Sequence, residues 1–338
     1  MTDTSTAPAA LAKGDTTPTA EPPDKRRLPG VPDLLLALAA VVLLVFLFRT
    51  DGFFTRTSLV ALLSTSAITG IIAIGMTVIA LSGNVLSFAL GVTASVTTLV
   101  CLATLRHGPV VAIVLSLLVG AAIFAVQGLL VGAFGTNPVI IAVGSLAAIS
   151  GAAIEITGGA SVQPSGDGTD WLNGKAFGIP VVFVIFFLLA VVGQAVLSGT
   201  TFGRRLMLVG SNRSAAEAAG QPVSRVILLT YMAGGACAAI TGVLLAARYG
   251  ATGFSQSQGG GVQYDYDAIA AVLVGGTSLR GGRGAIWRTV LGVILVEALS
   301  NALLLHGFST QTRQLTNGVI VAVALVLSDL RSRSGVRR

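Results

Sequence analysis

The chain is 338 residues long, 53% hydrophobic and only 10% charged, against about a quarter charged in soluble domains. That balance excludes a water-soluble globular fold and leaves a polytopic membrane protein, and 42 glycines spread through long apolar runs suit packed helices better than a barrel's alternating pattern. The net charge of +7 is gathered in short clusters at the ends of apolar runs, where anionic lipid headgroups rather than nucleic acid are the fitting neighbours.

Residues 1–30 are rich in Thr, Ala and Pro and carry no apolar periodicity, which predicts a disordered tail; no small-residue cleavage site marks them as a signal peptide. From 31 to 330 the chain reads as one all-α membrane domain of about ten transmembrane helices, near 33–49, 59–81, 87–105, 109–133, 138–157, 179–197, 225–247, 266–278, 285–305 and 314–330. Residues 331–338 form a basic tail. With both termini in the cytoplasm, most of the 21 basic residues fall inside, as the positive-inside rule requires. Cys101 and Cys237 lie in apolar runs and suggest small buried hydrophobes, not a disulfide or metal framework. His107 and His306 have no ligand partners nearby in sequence, so no metal site is expected.

The broken glycine-rich segments are the first candidates for function. GNVLSFALG, residues 83–91, and GGTSLRGGRG, residues 275–284, interrupt the apolar pattern, and such backbone is tolerated at membrane depth only where protein or a water-filled cavity supplies partners. Gly83, Asn84 and Ser87 therefore fit either a translocation path or simple close packing. Gly275, Gly276, Arg280, Gly281, Gly282 and Arg283 fit a cytoplasmic turn, because of the two arginines.

The hydrophilic loop 198–224 holds Ser214 and Glu217 at capping-box spacing, followed by Gly220 and Pro222. This predicts a short, separately capped helix over Ala215, Ala216, Glu217, Ala218 and Ala219, ended by Gly220 in the left-handed conformation.

Polar residues inside spans are costly, about 2.5–3.5 kcal/mol for a charge at helix centre, and normally face the bundle interior. Glu155, Glu297, Asn301 and Gln127 stand out as candidates to line a hydrophilic route; interhelical hydrogen bonding is the alternative, preferred for Gln194. Asp267 reads as an N-cap or first-turn acid of its span.

Taken with YDYDAIAAVLVGGTSLRGGRGAIWRTVL, residues 264–291, the segments FGRRLMLVGSNRSAAEAAGQPVSRV, GMTVIALSGN and TNPVIIAVGSLAAISG resemble the membrane permeases of bacterial sugar ATP-binding-cassette (ABC) importers of the ribose/xylose/galactose type. The resemblance covers most of residues 54–305. It implies a plasma-membrane translocation subunit for a small polar solute such as a carbohydrate, in which the loop helix Ser214 to Gly220 docks in a cleft of a cytoplasmic ATPase. One departure concerns the second-span turn, where Gly83, Asn84 and Val85 are followed by Leu86 and Ser87 without the aspartate usual in the family.

The chain has no GxxxxGK[ST] phosphate loop. The resemblance therefore implies that ATP and Mg belong to the partner ATPase, that an extracytoplasmic binding protein delivers solute, and that a second permease copy, most simply in a homodimer, completes the path. The chain itself is expected to be no enzyme. An ion-coupled secondary transporter using Glu155 or Glu297 is the competing reading; a membrane enzyme would need clustered acids or histidines at one face, and none are evident.

Overall fold

The computed structural model describes residues 48–84, 87–162, 175–176, 179–249, 252–253, 261–278, 281–309 and 311–323. The expected N-terminal tail, nearly all of the span at 33–49, the basic tail and Arg280 lie outside the described residues.

The helices, in chain order, are α1 (Arg56–Leu81), α2 (Leu90–Thr104, extended by a 3-10 turn Leu105–His107), α3 (Pro109–Gly132), α4 (Pro138–Thr157), α5 (Val181–Gly199), α6 (Thr201–Ser211), α7 (Arg213–Ala218), α8 (Val223–Tyr249), α9 (Val262–Val274) and α10 (Ile286–Leu305), with a further helix, α11, over 311–323. Two antiparallel pairs of two-residue strands, β1 (Ser161–Val162) with β4 (Thr252–Gly253) and β2 (Lys175–Ala176) with β3 (Ile179–Pro180), join loop segments. Among the described residues seven helices are long and apolar enough to cross a membrane: α1, α2 with its extension, α3, α4, α5, α8 and α10. Of the remaining expected spans, 266–278 is the 13-residue α9, which at 1.5 Å per residue covers about 20 Å, short of a bilayer core of ~30 Å. The one at 314–330 is described as helix as far as residue 323.

Local chemistry sets the helix starts. Proline stands at the first position of α3 and α4, where its missing N–H costs nothing. Thr55, Asn137, Thr200 and Asn212 cap α1, α4, α6 and α7 with their side chains. The N-caps of α2 and α10 are alanines with no side-chain bond. Both helices are capped from elsewhere in the chain: Asp265 Oδ1 accepts the Gly91 N–H at 2.8 Å, and Gln194 Oε1 accepts the Ile286 N–H at 2.9 Å.

The centre of the bundle is α8, packed on α1, α2 and α3. Small residues let the backbones close in, the usual solution where lipid gives no hydrophobic drive between helices. A β-carbon at Gly235 would meet the Gly120 carbonyl of α3 and stand 2.7 Å from Phe124 Cβ; one at Gly75 would stand 3.2 Å from the Gly234 carbonyl oxygen. Thr98 of α2 donates to the Gly242 carbonyl at 3.0 Å. The periphery is different: α1 buries 72% of its most apolar stretch, α4 only 11%.

Gly235→Ala is expected to destabilise the bundle by about 1–3 kcal/mol through overpacking, lowering the melting temperature in detergent. Gly199→Ala, where the new methyl meets nothing within 4 Å, should melt like the wild type.

Candidate functional site

Three polar assemblies stand out in the bundle. The first is where α2 and α9 begin. Gly91 and Gly261 cross so closely that a β-carbon on either would strike the other's carbonyl group. Between the two helix starts sits Asp265, fully buried, with Oδ1 on the Gly91 amide and Oδ2 without a hydrogen-bond partner. A carboxylate is favoured at a helix N-terminus by the dipole. From this meeting point the helices diverge. The turn that ends α2 leads through Gly108 into α3, and the far end of α3 touches α7 and the start of α8, so α2 ends on the side away from α7. The turn that ends α9 lies against α6, next to α7.

The second assembly joins α1, α9, α10 and α11. Glu297, buried, accepts from Thr69 Oγ1 at 2.6 Å. Asn301 donates to Ser58 Oγ at 2.8 Å. Asp267 accepts from Asn317 at 2.5 Å. On α11, four residues before Asn317, the Arg313 Nε is buried without a hydrogen-bond partner. The expectation that Asp267 caps its helix is corrected: α9 begins at Val262 after Gly261, so Asp267 lies beyond the first turn, where its carboxylate turns inward to α11.

The third is the segment around α7. Here too the sequence expectation needs correction, because the cap is Asn212, whose side chain accepts from the Ala215 N–H at 3.0 Å, and not Ser214. The helix accordingly starts earlier and ends at Ala218, with Ala219 as its C-cap. Asn outranks neither Ser nor Asp by much as a cap, and here the extended backbone of Asn212 (φ −160°, ψ 102°) decides. Gly220 does take the left-handed conformation, φ +70°. Glu217, instead of closing a capping box, pairs with Arg213 at 3.1 Å. The Arg213 guanidinium also donates to the Val131 and Gly132 carbonyls at 3.4 and 3.2 Å, completing the C-terminus of α3. Ala216 is buried, while Ser214, Ala215, Glu217, Ala218, Ala219 and Gly220 are exposed. An open groove lined by Glu217, Gln221, Pro222, Val223, Ser224 and Arg225 runs beside them.

The other expected path residues are dispersed. Gln127 is buried in α3 with both side-chain polar atoms unpartnered. Glu155 is exposed near the end of α4, away from Glu297. Asn84 is buried and donates to Ser82 Oγ at 2.7 Å; Ser87 accepts from the Ala89 N–H at 3.3 Å. Gly83 lies against Gly210. In the turn after α9, Gly275 packs on Arg288 of α10, Gly276 is open, Gly281 and Gly282 lie against α6, and Arg283 is exposed.

Residues 58–327 match the family described as branched-chain amino acid transport system, permease component. The chain belongs to this permease family. It is similar to the probable ABC transporter permease protein YphD of Escherichia coli strain K12, 35% identical over 300 residues covering 88% of this chain and 89% of that one. It is also similar to the ribose import permease protein RbsC of Bacillus subtilis strain 168, 32% identical over 88% and 92% of the two chains. The autoinducer 2 import system permease protein LsrD of Yersinia enterocolitica is 31% identical over 86% and 90%. No solved structure matches. The chain is thus a multi-pass permease component of an ABC importer.

Glu297 is buried with the Thr69 hydroxyl as a hydrogen-bond donor. Thr69→Val removes that donor and is expected to cost about 1–3 kcal/mol, seen as a lowered melting temperature in detergent. Adding Glu297→Leu should restore part of that loss; a double variant less stable than the single one would show that the Thr69 hydroxyl does not serve this carboxyl.

Proposed function

We propose that this permease carries a small polar solute, most simply a carbohydrate, inward across the bacterial plasma membrane, driven by a separate cytoplasmic ABC ATPase that engages α7. The observation that carries the coupling role is the form of α7 itself. It is a capped six-residue peg, fixed to the end of α3 by Arg213 and to the bundle by Ala216, with its other small residues exposed. A short rigid projection suits a socket on a partner; a floppy loop would absorb the partner's motion. On this reading α7 and both termini lie in the cytoplasm, ATP and Mg reside on the ATPase, and a binding protein on the other side supplies the solute.

The path is assigned to polar groups that the bundle shelters: the α2–α9 meeting with Asp265, and the α1–α10 seam with Ser58, Thr69, Glu297 and Asn301. Half-helices that start inside the membrane are a recurring way to present amides to a polar solute. Glu155 takes another part. It is exposed on α4, whose outward face also carries Gly144, Ala148, Gly151 and Ala152, with open space at both glycines. Small residues four apart let two helices approach closely, and a carboxylate is costly against lipid, so this face is assigned to a second copy of the chain in a homodimer.

The solute class rests on the ribose and autoinducer 2 importers among the relatives. The family description names branched-chain amino acids, which makes these the second reading. Proteoliposomes holding the permease, its ATPase and its binding protein should accumulate labelled ribose only with internal-equivalent ATP supplied to the ATPase side. Accumulation of leucine instead would change the solute, and uptake driven by a pH gradient without any ATPase would overturn the whole assignment.

For the docking role, Glu217→Arg breaks the pair with Arg213 and places a second cation on the peg. This variant is expected to insert and melt normally yet lose co-purification with the ATPase; undiminished co-purification would count against α7 as the contact.

A further inference from the structure

Three distant stretches of main chain meet with almost no side chain between them. The Gly282 N–H donates to the Leu81 carbonyl at 3.0 Å. A β-carbon at Gly83 would lie 3.1 Å from the Gly210 carbonyl oxygen and 3.2 Å from its Cα. One at Gly210 would run into the Leu81 carbonyl, and one at Gly281 into the Gly83 backbone and, at 2.6 Å, the Gly210 carbonyl oxygen. One at Gly282 would stand 2.8 Å from Ser211 Cα. The end of α1, the end of α6 and the turn between α9 and α10 are therefore stacked backbone on backbone.

Such a contact differs in kind from ordinary helix packing. Helices that interlock through side chains sit about 8–10 Å apart and can take up small displacements by rotamer changes. Backbone in direct contact has no rotamers, so displacement of one strand must move the next. The contact also leads straight to the peg: α6 passes into α7 at Asn212 alone, whose N–H bonds back to Leu208 at 3.2 Å while its side chain caps α7.

We propose that Gly83, Gly210, Gly281 and Gly282 are positioning residues for transport, forming a joint that makes α6–α7, the end of α1 and the α9–α10 turn move as one rigid body. This rests on the docking role proposed above for α7. Ser211 completes the contact surface, and the joint passes any shift of α7 directly to α1, α9 and α10.

Paired spin labels test this in the permease reconstituted with its ATPase, with Cys101 and Cys237 replaced by alanine. One pair, Leu208→Cys with Trp287→Cys, spans the joint at exposed positions; the other, Leu208→Cys with Ile156→Cys, reaches the exposed end of α4. Between the nucleotide-free and ATP-trapped states, the first distance should stay within its distribution width and the second should change. Gly210→Ala and, separately, Gly282→Ala should keep the ATPase bound and hydrolysing while the first distance becomes nucleotide-dependent and the second response shrinks. A wild-type first distance that shifts as far as the second overturns the joint, and that result does not depend on the variants folding. If neither wild-type distance responds although the ATPase is bound and hydrolysing, the docking reading of α7 falls, and the joint's role with it.

Discussion

A helix that stops inside a lipid-dissolved bundle has no water to finish its backbone, and each unsatisfied group there costs several kcal/mol. This constraint organises the permease. Helices that begin in loops are capped locally, by Thr55, Asn137, Thr200 and Asn212. Those that begin against protein borrow their caps, α2 from Asp265 of α9 and α10 from Gln194 of α5. The borrowed caps are also tertiary ties, since neither helix can start correctly unless the donor element is in place.

The same economy governs charge. Asp267 and Glu297 would each be expensive in an apolar interior, and both are met by hydrogen bonds, from Asn317 and Thr69 respectively. Charges arranged in this way need α11 as well as α9, α10 and α1, so the network closes the bundle across more than 200 residues of sequence separation between Thr69 and Glu297. The exposed pair Arg213–Glu217 is of another order. Such i,i+4 pairs contribute about 0.3–0.5 kcal/mol, and its value lies in aiming Arg213 at the end of α3.

Much of this was legible in the sequence. Long apolar runs located the crossing helices, and the Ser-Ala-Ala-Glu loop announced a short helix where α7 stands. Legibility failed where the deciding partner was far away in the chain. Capping-box spacing pointed to Ser214, whereas the extended backbone of Asn212 makes that residue the cap of α7. Asp265 drew no reading of its own, because nothing local reveals that Gly91 waits for its carboxylate. Gln194, read as an interhelical tie, does bond across helices, to the Ile286 backbone. Gly210 carried no signal at all: a glycine at the end of an amphipathic helix is unremarkable until Leu81 and Gly282 arrive beside it. The shortness of α9 was already visible in the expected span 266–278, and it is what allows a helix to start inside the bundle.

The placement of α9 connects these observations. One end of this rod, about 20 Å long, carries Asp265 at the meeting with α2, and the other runs through Gly275 into the turn held against Gly83 and Gly210. Every residue from Asp267 to Leu273 is buried, so it has little freedom to bend independently of its surroundings. A rod clamped at one end by main-chain contacts transmits a displacement to its other end with little loss. On the proposed reading, a shift of α7 would therefore arrive at Asp265 and the N-terminus of α2, the two half-helix starts that bound the sheltered polar interior. The glycines at both ends then serve close approach: Gly91 and Gly261 let the start of α2 come near enough for its Gly91 amide to reach the Asp265 carboxylate, while Gly210 and Gly281 leave no compressible side chain between the peg and the rod.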